Sequence, residues 1–155
     1  MEQLAIEEAE QKFDLALKAF DEKDFTTALT LMENALELHD NPDWYSYLGV
    51  CIAMERKDFL SGELRCLTSI DHDKGNPVHH LNLGKVYLAA GNKSKALETL
   101  RKGLAQGGNE KLLALLFQLG TRTPPFFSSL KRNHPLNKFF GILLHKRAIR
   151  HRDLP

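Results

Sequence analysis

The sequence predicts an all-α helical-repeat protein: three helix hairpins, a capping helix, and an extended or short-helix tail. Three observations carry this. Apolar residues recur at three- and four-residue spacing over about 120 residues. The segments KDFTTALTLMENAL (23–36), KDFLSGELRCLTSI (57–70) and GNKSKALETLRKGL (91–104) align with a period of 34 residues. That pattern then stops at TPPFFSSLKRNHPLNKFFGILLHKR, residues 123–147.

Each unit is a pair of amphipathic helices. In the third, Leu83, Val86, Tyr87 and Ala90 mark one apolar stripe, and the turn AAGNKS joins it to a second helix. Small residues recur at matching places: Ala16, Gly49 and Gly84; Ala28, Gly62 and Ala96; Ala35, Ser69 and Gly103. A glycine inside a helix costs about 1 kcal/mol against alanine, so its recurrence at one phase calls for close helix crossings. Pro42 and Pro77 open the second and third units. The units run over about 9–42, 43–76 and 77–108. NEKLLALLFQL (109–119) predicts a capping helix over the last apolar face, and Gly120 a helix stop. The chain thus divides into a repeat domain, 1–120, and a tail, 121–155.

The segment HLNLGKVYLAAGNKSKALETLRKGL, with its Leu-Gly pair, the tyrosine three residues later, the turn and the small residues of its second helix, resembles the tetratricopeptide repeat (TPR). The resemblance implies a right-handed α-solenoid whose first helices line a concave groove for an extended peptide or a helix. The groove-facing positions it implies are Glu10, Phe13, Asp14 and Leu17, then Asp43, Tyr47, Val50 and Met54, then Leu81, Asn82, Lys85 and Ala89. Asn82 occupies a phase where family members hydrogen-bond a ligand's backbone. The clamp by which some relatives hold chaperone carboxylate tails falls here on Phe13, Leu17, Tyr47, Val78 and Asn82, which cannot neutralise a carboxylate pair. The chain is similar in length and repeat number to class II chaperones of bacterial type III secretion. It also resembles small bacterial repeat proteins that share NPVHHLNLGKVYLAAGN and end in a segment like LGTRTPPFFSSLKRNHPLNKFFG.

These expectations make the protein an adaptor or chaperone-like binder of a peptide segment, not an enzyme, with neither cofactor nor metal. DHDKGNPVHH (71–80) gathers Asp71, His72, Asp73, His79 and His80 on an interhelix turn, where a solvated reading outweighs a metal site. AAGNKS lacks the GxxxxGK[ST] of a phosphate loop. Cys51 and Cys66 lack metal or redox spacing and predict buried, reduced thiols. The acidic start MEQLAIEEAE lacks the basic flank and apolar stretch of a signal peptide, and apolar runs are short, so the expected location is cytoplasmic.

Charge is divided unevenly. Residues 1–120 carry 13 Lys+Arg against 19 Asp+Glu, and residues 121–155 carry 8 against Asp153 alone. In the tail, Pro124 and Pro125 enforce extended backbone, and Phe126 and Phe127 follow. Leu136, Phe139, Phe140, Leu143 and Leu144 then form one apolar stripe on a short helix. Phe126, Phe127, Leu136, Phe139 and Phe140 are the expected docking residues. The tail's target is the chain's own groove, a neighbouring copy in a homo-oligomer, or an anionic membrane surface. Nucleic acid fits poorly, because the acidic body repels phosphate.

Overall fold

The computed structural model describes residues 2–119, all of whose regular structure is helical. In order the elements are α1 (Glu2–Asp21), α2 (Phe25–Leu38), a single 3-10 turn (Pro42–Trp44), α3 (Tyr45–Glu55), α4 (Phe59–His72), α5 (Pro77–Ala89), α6 (Lys93–Ala105) and α7 (Glu110–Gln118). α1 starts well ahead of residue 9, where the first unit was expected to begin. The most extensive helix contacts join α1 to α2, α3 to α4 and α5 to α6, and α3 also meets α2 and α5. The first compact unit ends at Leu112, so α7 contributes only its opening residues to it. Among the described residues no helix is long and apolar enough to cross a membrane.

The same local devices recur at the turns within and between pairs. Lys23, Lys57 and Gly91, spaced by 34 residues, all adopt positive φ (64°, 56° and 75°). That left-handed residue ends the first helix of each pair. The next residue is an N-cap: Asp24, Asp58 and Asn92 accept from the backbone N–H of Thr27, Ser61 and Lys95 at 3.1, 3.0 and 3.1 Å. Between pairs, Asn41 and Asn76 cap the following turn, each ahead of a proline at the first helical position. Asn109 Oδ1 accepts from Leu112 N at 2.8 Å to start α7.

The repeated small residues sit at crossings. All nine are buried. A Cβ on Gly49 would lie 2.5 Å from the Gly62 carbonyl oxygen, and one on Gly62 would lie 2.7 Å from the Gly49 carbonyl oxygen, so α3 and α4 touch backbone to backbone. The main core takes Ala16, Phe20 and Met32 from the first pair, Leu48 to Ala53 from α3, and Leu83 and Val86 from α5. Trp44 anchors a smaller cluster with Ala9 and Ala35.

Candidate functional site

A chain of aromatic rings runs along the first helices of the pairs. Phe13 of α1 stacks on Trp44 with ring centroids 4.4 Å apart and meets Tyr47 of α3 edge-on at 5.7 Å. Tyr47 meets Phe20 of α1 edge-on at 5.3 Å. Such offset and edge contacts match the ring quadrupoles and hold the set in one geometry. Lys85 of α5 then places its ammonium 4.7 Å from the Phe20 ring centroid. Asp21, next to Phe20, accepts from Lys111 Nζ at 3.0 Å. Residues from α1, α3, α5 and the first turn of α7 are thereby brought into one cluster.

The electrostatics of this cluster centre on Lys85. Its side chain is half-buried, and no carboxylate lies within ion-pair distance among the described residues. Burial pushes its ammonium below the ordinary lysine range, the nearby Lys111 charge adds to that, and Asp21 opposes it. Burial raises the Tyr47 phenol, with the Asp21 charge as a lesser cause. A partly desolvated cation beside aromatic walls is a place where an anionic group gains more than at the open surface.

The structure separates the groove positions expected from the sequence by how deeply they are buried. Phe13, Tyr47 and Lys85 belong to the cluster, and Leu17 and Met54 are partly buried against the main core. Glu10 and Asp14 are exposed on α1, while Asp43 accepts from His72 Nδ1 of α4 at 2.9 Å. Val50, Leu81 and Asn82 are sealed, with 0%, 3% and 1% of their surface exposed. Asn82 Nδ2 donates to Ser46 Oγ at 3.1 Å, so its amide is engaged inside the protein rather than offered to a ligand. The cluster members that sequence reasoning left out, Phe20, Asp21, Trp44 and Lys111, had one usable signal. Phe20 follows Phe13 by two helical turns and Leu17 by three residues, on the same stripe. The expected tail residues Phe126, Phe127, Leu136, Phe139 and Phe140 lie outside the described residues.

A second polar constellation joins α3 to α5. Ser46 Oγ lies 2.9 Å from His79 Nδ1 while accepting from Asn82. The hydroxyl keeps a proton it can donate to Nδ1, an arrangement that pairs with the imidazole proton on Nε2. Nε2 points toward Asp43 Oδ1 at 3.7 Å and has no hydrogen-bond partner among the described residues. Asp43 and Ser46, neighbours in sequence, are therefore brought together with His79 of α5. Ser46 is fully buried and His79 is 1% exposed, so no substrate carbonyl can reach the hydroxyl. Burial lowers the affinity of His79 for a proton, opposed by the charges of Asp43 and Asp73. His80 shifts the same way through burial, with the His79 and Lys102 charges contributing.

The cysteines are interior. Burial pushes the Cys51 thiol up to about 12 and raises Cys66 as well, which suppresses the thiolate that would react or bind metal. Among the described residues no group of three or more His, Cys, Asp or Glu could hold a metal ion. No protein-family model matches the chain, and no curated protein matches it.

Proposed function

We propose that this chain is a non-enzymatic interaction module, an adaptor or chaperone-like protein, that binds a peptide segment along its first helices. In this reading the three helix pairs are tetratricopeptide hairpins of a right-handed solenoid, and α1, α3 and α5 line its concave side. Three capped turns at a 34-residue spacing, and small residues buried at matching phases, support the repeat.

The observation that carries the binding reading is Lys85. A half-buried ammonium with no ion pair among the described residues, set over Phe20 beside Tyr47 and Phe13, offers one charge and adjoining apolar rings. A peptide that presents a carboxylate there and an apolar side chain to the rings satisfies both. The acids Glu10 and Asp14, exposed on α1, favour basic charge elsewhere on the same ligand.

A displayed peptide library selected on the intact protein tests this. Selected peptides should share an acidic residue next to apolar ones, and Lys85→Glu or Tyr47→Ala should weaken them about tenfold or more. Equal recovery on both variants would remove the proposal.

A further inference from the structure

The other side of the middle helix pair carries a second surface. α2 and α4 flank α3 and leave a groove of about 790 Å³. Its floor is apolar, from Leu36, Leu48 and Ile52. Leu64 stands on the α4 wall, and Leu60 and Leu67 continue its stripe along the same helix. These three leucines are 69%, 56% and 38% exposed at positions 60, 64 and 67, whereas the rest of α4's periodic face is packed inward. The α2 side presents Glu33, Glu37 and Asp40 at i, i+4 and i+7.

The charges in the groove are not balanced. Arg56 is held by Glu33 at 2.7 Å, and Arg65 lies 4.9 Å over the Tyr45 ring. The Tyr45 hydroxyl donates to Asp40. Both cations are thus engaged, while Glu37 has no ion-pair partner among the described residues and Asp58 adds a further negative charge at the groove's end. Among the described residues the charge left over is negative, and it lies along one wall opposite Leu64.

We propose that this groove docks a short amphipathic helix from a protein partner, with leucine-type residues against Leu64 and the floor and Lys or Arg along the edge facing α2. A helix meets a groove through anchors at i, i+4 and i+7, the same repeat that the exposed leucines and the acids display. The basic edge is required by the unpaired acid, since like charges there would be desolvated together. A second copy of the chain fits less well: three partly exposed leucines fall far short of the roughly 1,200 Å² that a stable dimer buries. An anionic lipid surface is opposed by the acidic wall. The site is distinct from the Lys85 cluster and does not depend on it, so the protein has two faces with opposite charge preference.

Fluorescence anisotropy on the full chain decides it. The probe is a labelled synthetic helix with leucines at i, i+4 and i+7 and lysines along one edge. A second helix carries glutamates in place of the lysines. The basic helix should saturate and weaken with added salt, and the acidic one should bind about tenfold less. Leu64→Asp, at an exposed position, should weaken the basic helix about tenfold, and Glu37→Lys several-fold with a flatter salt dependence. Lys85→Ala should leave its affinity unchanged. The proposal is overturned by no saturation, by equal affinity for Leu64→Asp, or by preference for the acidic helix. It is overturned equally by concentration-dependent dimers that Leu64→Asp abolishes, or by competition from anionic vesicles at matched salt.

Discussion

His79 shows how one side chain couples charge to stability. It is buried between α3 and α5 with Nδ1 bonded to Ser46 and Nε2 unpartnered among the described residues. Its folded-state proton affinity lies below the ordinary value of about 6.5, and so does that of His80. The unfolded chain therefore binds more protons as pH falls through that value, and stability present above it is lost progressively toward the lower folded value. Urea midpoints measured from pH 8 to pH 5 should fall below about pH 6.5, and His79→Gln should flatten that decline; an unchanged profile in the variant would contradict this account. Asn82 belongs to the same seam. Asn82→Ala leaves the Ser46 hydroxyl one donor short, and a loss of about 1–3 kcal/mol is expected, read from chemical denaturation. The peptide binding proposed at the Lys85 cluster should hold at conditions where the variant remains folded.

At the scale of the helix, boundaries and crossings impose different requirements. Lys23 and Lys57 occupy the left-handed position that Gly91 fills in the third pair. A side chain there carries a steric cost, so Lys23→Gly is expected to raise stability by about 0.5 kcal/mol, visible as a higher urea midpoint. Lys57→Gly should gain less, because Lys57 Nζ also donates to the Met54 carbonyl at 2.7 Å. The α3–α4 crossing has the reverse sensitivity. Gly49→Ala improves helix propensity by about 1 kcal/mol but drives a methyl into the backbone oxygen of Gly62. Backbone cannot yield as a side-chain tip can, so a net loss of about 1–3 kcal/mol is expected in the same assay.

Across the first compact unit, contacts concentrate on the middle helix pair. α3 meets α2, α4 and α5 and supplies Val50, Cys51, Ile52 and Ala53 to the main core, while the opening of α1 leaves Leu4 68% exposed. Amide exchange should therefore be slowest in α3 and α5 and fastest in the first turns of α1, since local opening follows contact density. Faster exchange in α3 than in α1 would mean that the pairs open independently. The same centre holds Cys51 and Cys66, whose thiols should react with a disulfide reagent only as fast as this core opens.

Much of this protein is decided locally and could be read from the chain. Helix periodicity, the 34-residue recurrence, the prolines that open units and the small residues at crossings are set by interactions within a few residues or within one repeat. The capping residues Asp24, Asp58 and Asn92 follow the same 34-residue spacing. Tertiary packing decided the rest. Asn82 and Lys85 lie three residues apart on one helix, yet the first is sealed against Ser46 while the second keeps a half-exposed ammonium over Phe20. Sequence spacing assigns both to one broad face, but burial depends on which residue of another helix stands opposite. For the same reason the outer groove was invisible: α2, α3 and α4 each present an ordinary amphipathic pattern, and only their assembly leaves Leu64 uncovered opposite an acidic wall.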